Sequence, residues 1–216
     1  MDEIGRGEYL VSFPHDKTLT SIRRAALKEA RENRKLEIDL YWKRAAYFWA
    51  FIAAAFAGYF LLPKTLEDQT VSYVTACLGF IFSLAWYFVN RGSKYWQQNW
   101  EMHVDLLEDE IAGPVYKTVV QPRQYSFCIV DGPYPFSVSK INQLLSLFVT
   151  IVWLVLMART IAIVLNVKSP LPHLSIIAMS TVTLGTVIML ACMGRTENRQ
   201  DDVQLETVYQ RKRTYK

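Results

Sequence analysis

Five carboxylates and a histidine fall within the ten residues "EMHVDLLEDE", Glu101 to Glu110. Glu101, Asp105 and Asp109 recur every fourth residue, which on a helix lines them along one face. Acids in such a row serve carboxylate metal centres when they face inward and partner helices add a Glu-x-x-His pair. The sequence holds no such pair, so the row reads as an acidic face that is solvated or paired with arginine. His103 and Glu110 lie off the row, seven residues apart, and are candidate gating residues because a histidine changes charge near neutral pH. The plainer reading of His103 is a buried, hydrogen-bonded side chain.

The rest of the chain offers little other chemistry. Cys77, Cys128 and Cys192 form no CxxC and no Cys/His pair at ligand spacing, and read as reduced thiols without a metal role. No Gly-rich phosphate loop and no nucleophile motif appears. Neither an enzyme nor a cofactor is expected, and no small-molecule substrate is apparent.

What must position these residues is a set of membrane helices. Of 216 residues, 51% are hydrophobic and 13% aromatic, and the apolar residues are strongly clustered. Four runs, at 45–62, 71–89, 143–165 and 174–193, reach the length that crosses about 30 Å of hydrocarbon as a helix. A soluble chain of this size has no way to bury four helices that are apolar on every face.

Lysine and arginine accumulate in segments left in the cytoplasm. Residues 1–44 hold ten of them, 90–142 hold five and the tail after Met193 holds six, against one each in the short connections "PKTLEDQT" and "NVKSPLPH". Both termini and the middle segment are therefore expected to be cytoplasmic. The first apolar run starts too late for a secretory signal and is expected to stay as an anchor. The net charge of +4 is explained by this topology before nucleic-acid binding, for which the N-terminal arginines and the "QRKRTYK" tail are weak signals.

After the second span, "NRGSKYWQQNWEMHVDLLEDEIAGP" reads as a helix running on to Ala112, stopped by Gly113 and Pro114. At about 100° per residue, Trp96, Trp100, Val104, Leu107 and Ile111 fall within an arc of about 80°. They form a packing stripe, expected to hold the helix in its own bundle or in the oligomer, and Tyr95, Met102 and Leu106 flank it. Glu101, Asp105, Glu108 and Asp109 take the side left for water. A helix this apolar outside the membrane needs neighbours on two sides.

A candidate partner for the acidic face is the segment 21–45, which has no Gly or Pro and alternates its charges, and which predicts a helix leading into the first span. Its basic surface can meet the acidic row, anionic lipid or solvent. Val115–Val120 and Tyr125–Val130 are β-prone runs, and Asp131-Gly132-Pro133 is a turn signal. They predict a small hairpin-like insert, with Ser137 or Ser139 capping the third span.

Within the membrane, Ala46, Ala50, Ala54 and Gly58 recur every four residues in the first span, as do Thr75, Gly79 and Ser83 in the second. Small residues at this spacing let helices approach closely, within one subunit or between subunits. The hydroxyls of the fourth span suggest a packed or wet face. Arg159, under two turns from the far end of the third span, either snorkels outward or lines a polar pathway.

The stretch "WYFVNRGSKYWQQNWEMHVDLLEDEIAGPVYKT", followed by "PFSVSKINQLLSLFVTIVWL", resembles the RipA-like bacterial inner-membrane proteins, which are octameric. It is also similar to membrane effectors attached to retron anti-phage systems. The resemblance covers residues 86–154, about a third of the chain. It implies a ring-like homo-oligomer in the bacterial inner membrane, with a retron reverse transcriptase or nucleic-acid component as partner. For the effector branch it implies membrane damage released by infection.

The fold class expected is thus an all-α polytopic membrane protein with four transmembrane helices, long cytoplasmic helical extensions and the hairpin-like insert. Its segments are 1–44, 45–89, 90–142, 143–193 and 194–216. The expected function is a membrane-perturbing or channel-like effector held inactive by cytoplasmic contacts. The alternative is a non-conducting scaffold or sensor that recruits cytoplasmic partners.

Overall fold

The described residues of all four apolar runs are helical. In a computed structural model, which describes residues 2–4, 20–61, 66–113, 115–116, 136–166, 170–194 and 208–210, the helices are α1 (Thr20–Leu61), α2 (Leu66–Leu107), α3 (Val138–Leu165) and α4 (Pro170–Met193). Each is long and apolar enough to cross a membrane. A short antiparallel ladder pairs β1 (Asp2–Ile4) with β2 (Val208–Gln210), Asp2 opposite Gln210. Strands of three residues are too short to leave a period-two signal in the sequence.

The first two helices are longer than the apolar runs they contain. α1 begins well before the first apolar run, and α2 continues past Gly92 without a break. It ends at Leu107 rather than at Ala112. The N–H groups of Ile111 and Ala112 both bond to the Glu108 carbonyl, at 3.0 and 2.8 Å, and Gly113 takes a positive φ of 74°, where a side chain would clash with the backbone. Glu108, the first residue past the helix, is buried, as described below. The hairpin-like insert lies outside the described residues except for Val115 and Tyr116, which form a turn.

α3 starts at Ser137, one of the two serines expected to cap it, whose hydroxyl accepts from the Lys140 N–H at 3.4 Å. It stops at Asn166, whose N–H returns to the Ile163 carbonyl. These contacts satisfy backbone groups that helix ends leave open.

The chain divides into two units, Met1–Ile38 with Tyr95–Tyr134 and Glu197–Lys216, and Asp39–Lys94 with Pro135–Thr196. In the first, Leu27 and Ala30 of α1 pack on Val104 and Leu107 of α2, with Ala26, Trp100, Leu106 and Ile111 around them. In the second, Ala55, Ala76, Phe80, Trp153 and Leu156 form the centre of a helix bundle, against which Val187 of α4 also packs.

Candidate functional site

Of the acidic row, Glu101 and Asp105 are half-buried and Asp109 is exposed, and arginine meets Glu101 and, off the row, Glu110. In the first unit Arg34 donates to Glu101 through Nε and Nη2 at 3.4 and 3.3 Å, and Arg23 pairs with Glu110. Helix α1 presents both arginines on the side that carries Leu27 and Ala30, so ion pairs flank an apolar seam. Glu101 and Glu108 therefore do not face water, as the helical projection placed them. Glu108 is fully buried, and its two oxygens accept from the Tyr116 N–H at 2.9 and 3.1 Å. A carboxylate is a strong acceptor for a backbone donor, and this contact folds the chain back after Gly113. The Tyr116 ring then lies beneath the guanidiniums of Arg34 and Arg31, at 5.3 and 5.9 Å, a cation–π arrangement.

Four of the five stripe residues meet in this seam. Val104 and Leu107 are buried in it, Trp100 and Ile111 pack against it, and Trp96 lies half-buried with its ring edge-on to Tyr95. The protomer's own α1 covers the stripe. His103 sits beside Trp100, ring centroids 5.4 Å apart, and burial pushes its pKa below the ordinary 6.5. Next to the seam, Arg24, Lys28, Arg31 and Lys35 line a groove of about 540 Å³ together with Glu32, which pairs with Lys28 at 3.8 Å, and with Leu27 and Ile111.

In the second unit, polar side chains tie three helices at the edge of the apolar runs. Asn142 Nδ2 donates to the Tyr41 hydroxyl at 2.6 Å, and Asn90 Nδ2 lies 3.5 Å from the Asn142 carbonyl and 3.4 Å from Ser146 Oγ. Beside them Arg44 donates to Ser93 Oγ at 2.8 Å. All of Tyr41, Asn90, Asn142 and Ser146 are buried. The sequence reading passed over them, although Asn90 and Asn142 stand immediately outside the second and third apolar runs. Amides at that position on two helices are the signal that would have found the tie.

Deeper in the bundle, Trp153 is fully buried, stacked on Phe56 at 4.2 Å and edge-on to Tyr59. Gly79 leaves the room for its indole, and a Cβ on Gly58 would lie 3.4 Å from Thr75 Cγ2. These glycines of the small-residue rows are thus used inside the protomer. Ala46, Ala50 and Ala54 are instead exposed. Tyr59 and Thr160 share a hydrogen bond of 3.0 Å, and Tyr73 and Ser180 one of 2.6 Å. Thr181 and Thr186 bond their own helix at Ile177 and Val182, the bland reading of hydroxyls in a membrane helix.

Arg159 is exposed on α3, next to buried Thr160. It belongs to the second unit, while His103 and Glu110 belong to the first. Among the described residues no three His, Cys, Asp or Glu side chains gather as metal ligands. The arrangement is suited to holding helices together and to meeting lipid or further chains.

No curated protein and no solved structure matches the chain. Residues 24–163 match the octameric membrane protein family, a span that takes in both the α1–α2 seam and the polar tie. With four membrane-length helices and this match over about two thirds of its length, the chain belongs to the octameric membrane protein family (8xMP).

Proposed function

We propose that the protein is a subunit of a bacterial inner-membrane homo-oligomer that acts as a membrane-perturbing or channel-like effector in retron-type anti-phage defence. It is not an enzyme. The octameric family name supports the homo-oligomer, and the Lys/Arg distribution supports cytoplasmic termini. The observation that carries the effector reading is the α1–α2 seam: the two helices that hold it, with the pairs Arg34–Glu101 and Arg23–Glu110, are the same unbroken helices that contain the first and second spans. Charged pairs around a small apolar seam make a contact that a competing charged partner can open, and opening it frees both spans to rearrange. A retron reverse transcriptase or its nucleic acid is the partner this reading calls for, and the basic groove is where a polyanion meets the seam.

The groove also favours a second reading, a non-conducting scaffold that recruits an acidic cytoplasmic partner. Induced expression with dye influx and growth as readouts separates the two. Influx with growth arrest supports the effector, and an inserted, oligomeric protein that never admits dye under any trigger leaves the scaffold.

A further inference from the structure

The polar tie of the second unit fixes where three helices stand relative to one another along their length. Tyr41, Asn90 and Asn142 are joined by hydrogen bonds, and Arg44 is joined to Ser93. The cations within two residues of these side chains therefore lie at one level: Lys43 and Arg44 on α1, Arg91 on α2 and Lys140 on α3, with Lys94 one residue beyond Ser93. Asp39 is the one carboxylate on these stretches of the three helices. Arg44 is engaged with Ser93, whereas Lys43, Arg91 and Lys140 are exposed. Arg91 leans over the Tyr87 ring at 5.8 Å.

Exposed apolar side chains continue along the span side of this level, with Tyr47 and Phe51 on α1 and Ile141, Leu144 and Phe148 on α3, and on its other side Leu36, Phe136 and Val138 are exposed as well, Leu36 between Lys35 and Glu37. Trp42, also exposed, stands at the level itself, where an aromatic ring with a polar N–H is favoured. The cations thus stand at the edge of a continuous run of exposed, hydrocarbon-compatible side chains on α1 and α3.

We propose that Lys43, Arg91 and Lys140 form a binding belt for the phosphate headgroups of anionic phospholipids, whose acyl chains lie along the exposed faces of α1 and α3. The inference rests on the reading of the apolar helices as membrane spans, and not on the effector reading. Charge complementarity selects this occupant: a zwitterionic headgroup neutralises little of the excess positive charge, whereas an anionic one does so at the edge of that apolar run. Because the belt spans three helices that the tie already joins, bound anionic lipid holds the bundle together from outside.

The full-length protein, reconstituted in phosphatidylcholine vesicles with and without about 30% phosphatidylglycerol, tests this through its thermal transition by tryptophan fluorescence. Anionic lipid is expected to raise the transition by several degrees, and about 0.5 M salt to remove most of the gain by screening. The triple substitution Lys43→Gln, Arg91→Gln and Lys140→Gln should keep the phosphatidylcholine value and lose the gain. Arg24→Gln, Lys28→Gln and Lys35→Gln in the groove should retain it. Equal transitions of the parent in both vesicles, or a full gain in the belt variant, overturn the proposal. A transition insensitive to lipid charge but falling on dilution assigns the belt to a second copy instead. Failure of the parent to insert in either vesicle overturns the spanning reading and the belt together.

Discussion

The indole of Trp153 occupies the space that a Cβ on Gly79 would need. The tryptophan has no room to yield, because it is fully buried and stacked on Phe56. Gly79→Ala is therefore expected to destabilise the bundle by about 1–3 kcal/mol, the usual cost of overpacking. Melting in detergent checks this, and pairing it with Trp153→Phe should recover part of the loss. Parent-like melting of Gly79→Ala would show that the helices separate more easily than this contact allows.

Trp100→Ala acts on the first unit. The ring is partly exposed and packs against Leu27, Ala30, Val104 and Leu107, so the loss should approach about 3 kcal/mol, the lower end for a buried tryptophan. Because the protomer's own α1 covers the stripe, the fall should appear at every protein concentration. A loss seen only on dilution would move the stripe to a contact between subunits.

Arg34 and Glu101 are each under a third exposed, and a pair in that setting couples by about 1 kcal/mol or less. Arg34→Glu and Glu101→Arg should each lower the melting temperature, and the double swap should restore most of it. A double-mutant cycle measures the coupling. Glu108→Ala is expected to cost more, about 1–3 kcal/mol, since it strips the Tyr116 N–H of its buried acceptor.

His103 carries a pH signature. Burial lowers its folded pKa below 6.5, so the unfolded chain binds the proton more readily. Stability is then at its full value above about pH 6.5, and falls as the pH drops from there towards the lowered folded value. His103→Gln should flatten the melting temperature between about pH 7 and pH 5. An unchanged slope in that variant would assign the acid sensitivity to other groups.

Arg159 lies on the exposed side of α3. Arg159→Leu should leave insertion and melting unchanged, because leucine is welcome in lipid, and as a pathway residue it should alter dye influx while Arg159→Lys retains part of it. Parent-like influx from Arg159→Leu at matched membrane levels would remove Arg159 from the pathway and leave it snorkelling.

Composition and periodicity by themselves determined four membrane-length helices, narrowed the cap of the third to Ser137 or Ser139, and grouped Trp100, Val104, Leu107 and Ile111 on one helix face. These are local properties: run length sets what hydrocarbon accepts, and 100° per residue sets which side chains share a face. Tertiary structure alone decided what each face meets. Glu108 projects onto the same side as Glu101, yet one is buried and accepts from the Tyr116 N–H while the other reaches Arg34, because residues far apart in the chain, Tyr116 and the Arg34 side of α1, pack there. Gly58 and Gly79 were visible as small residues, but only packing showed that one meets Thr75 and the other admits Trp153. Asn90 and Asn142 are separated by 52 positions, and no periodicity within a helix encodes a hydrogen bond across that distance. Such pairings arise when buried amides, excluded from water, find the nearest partner that the folded bundle brings within reach.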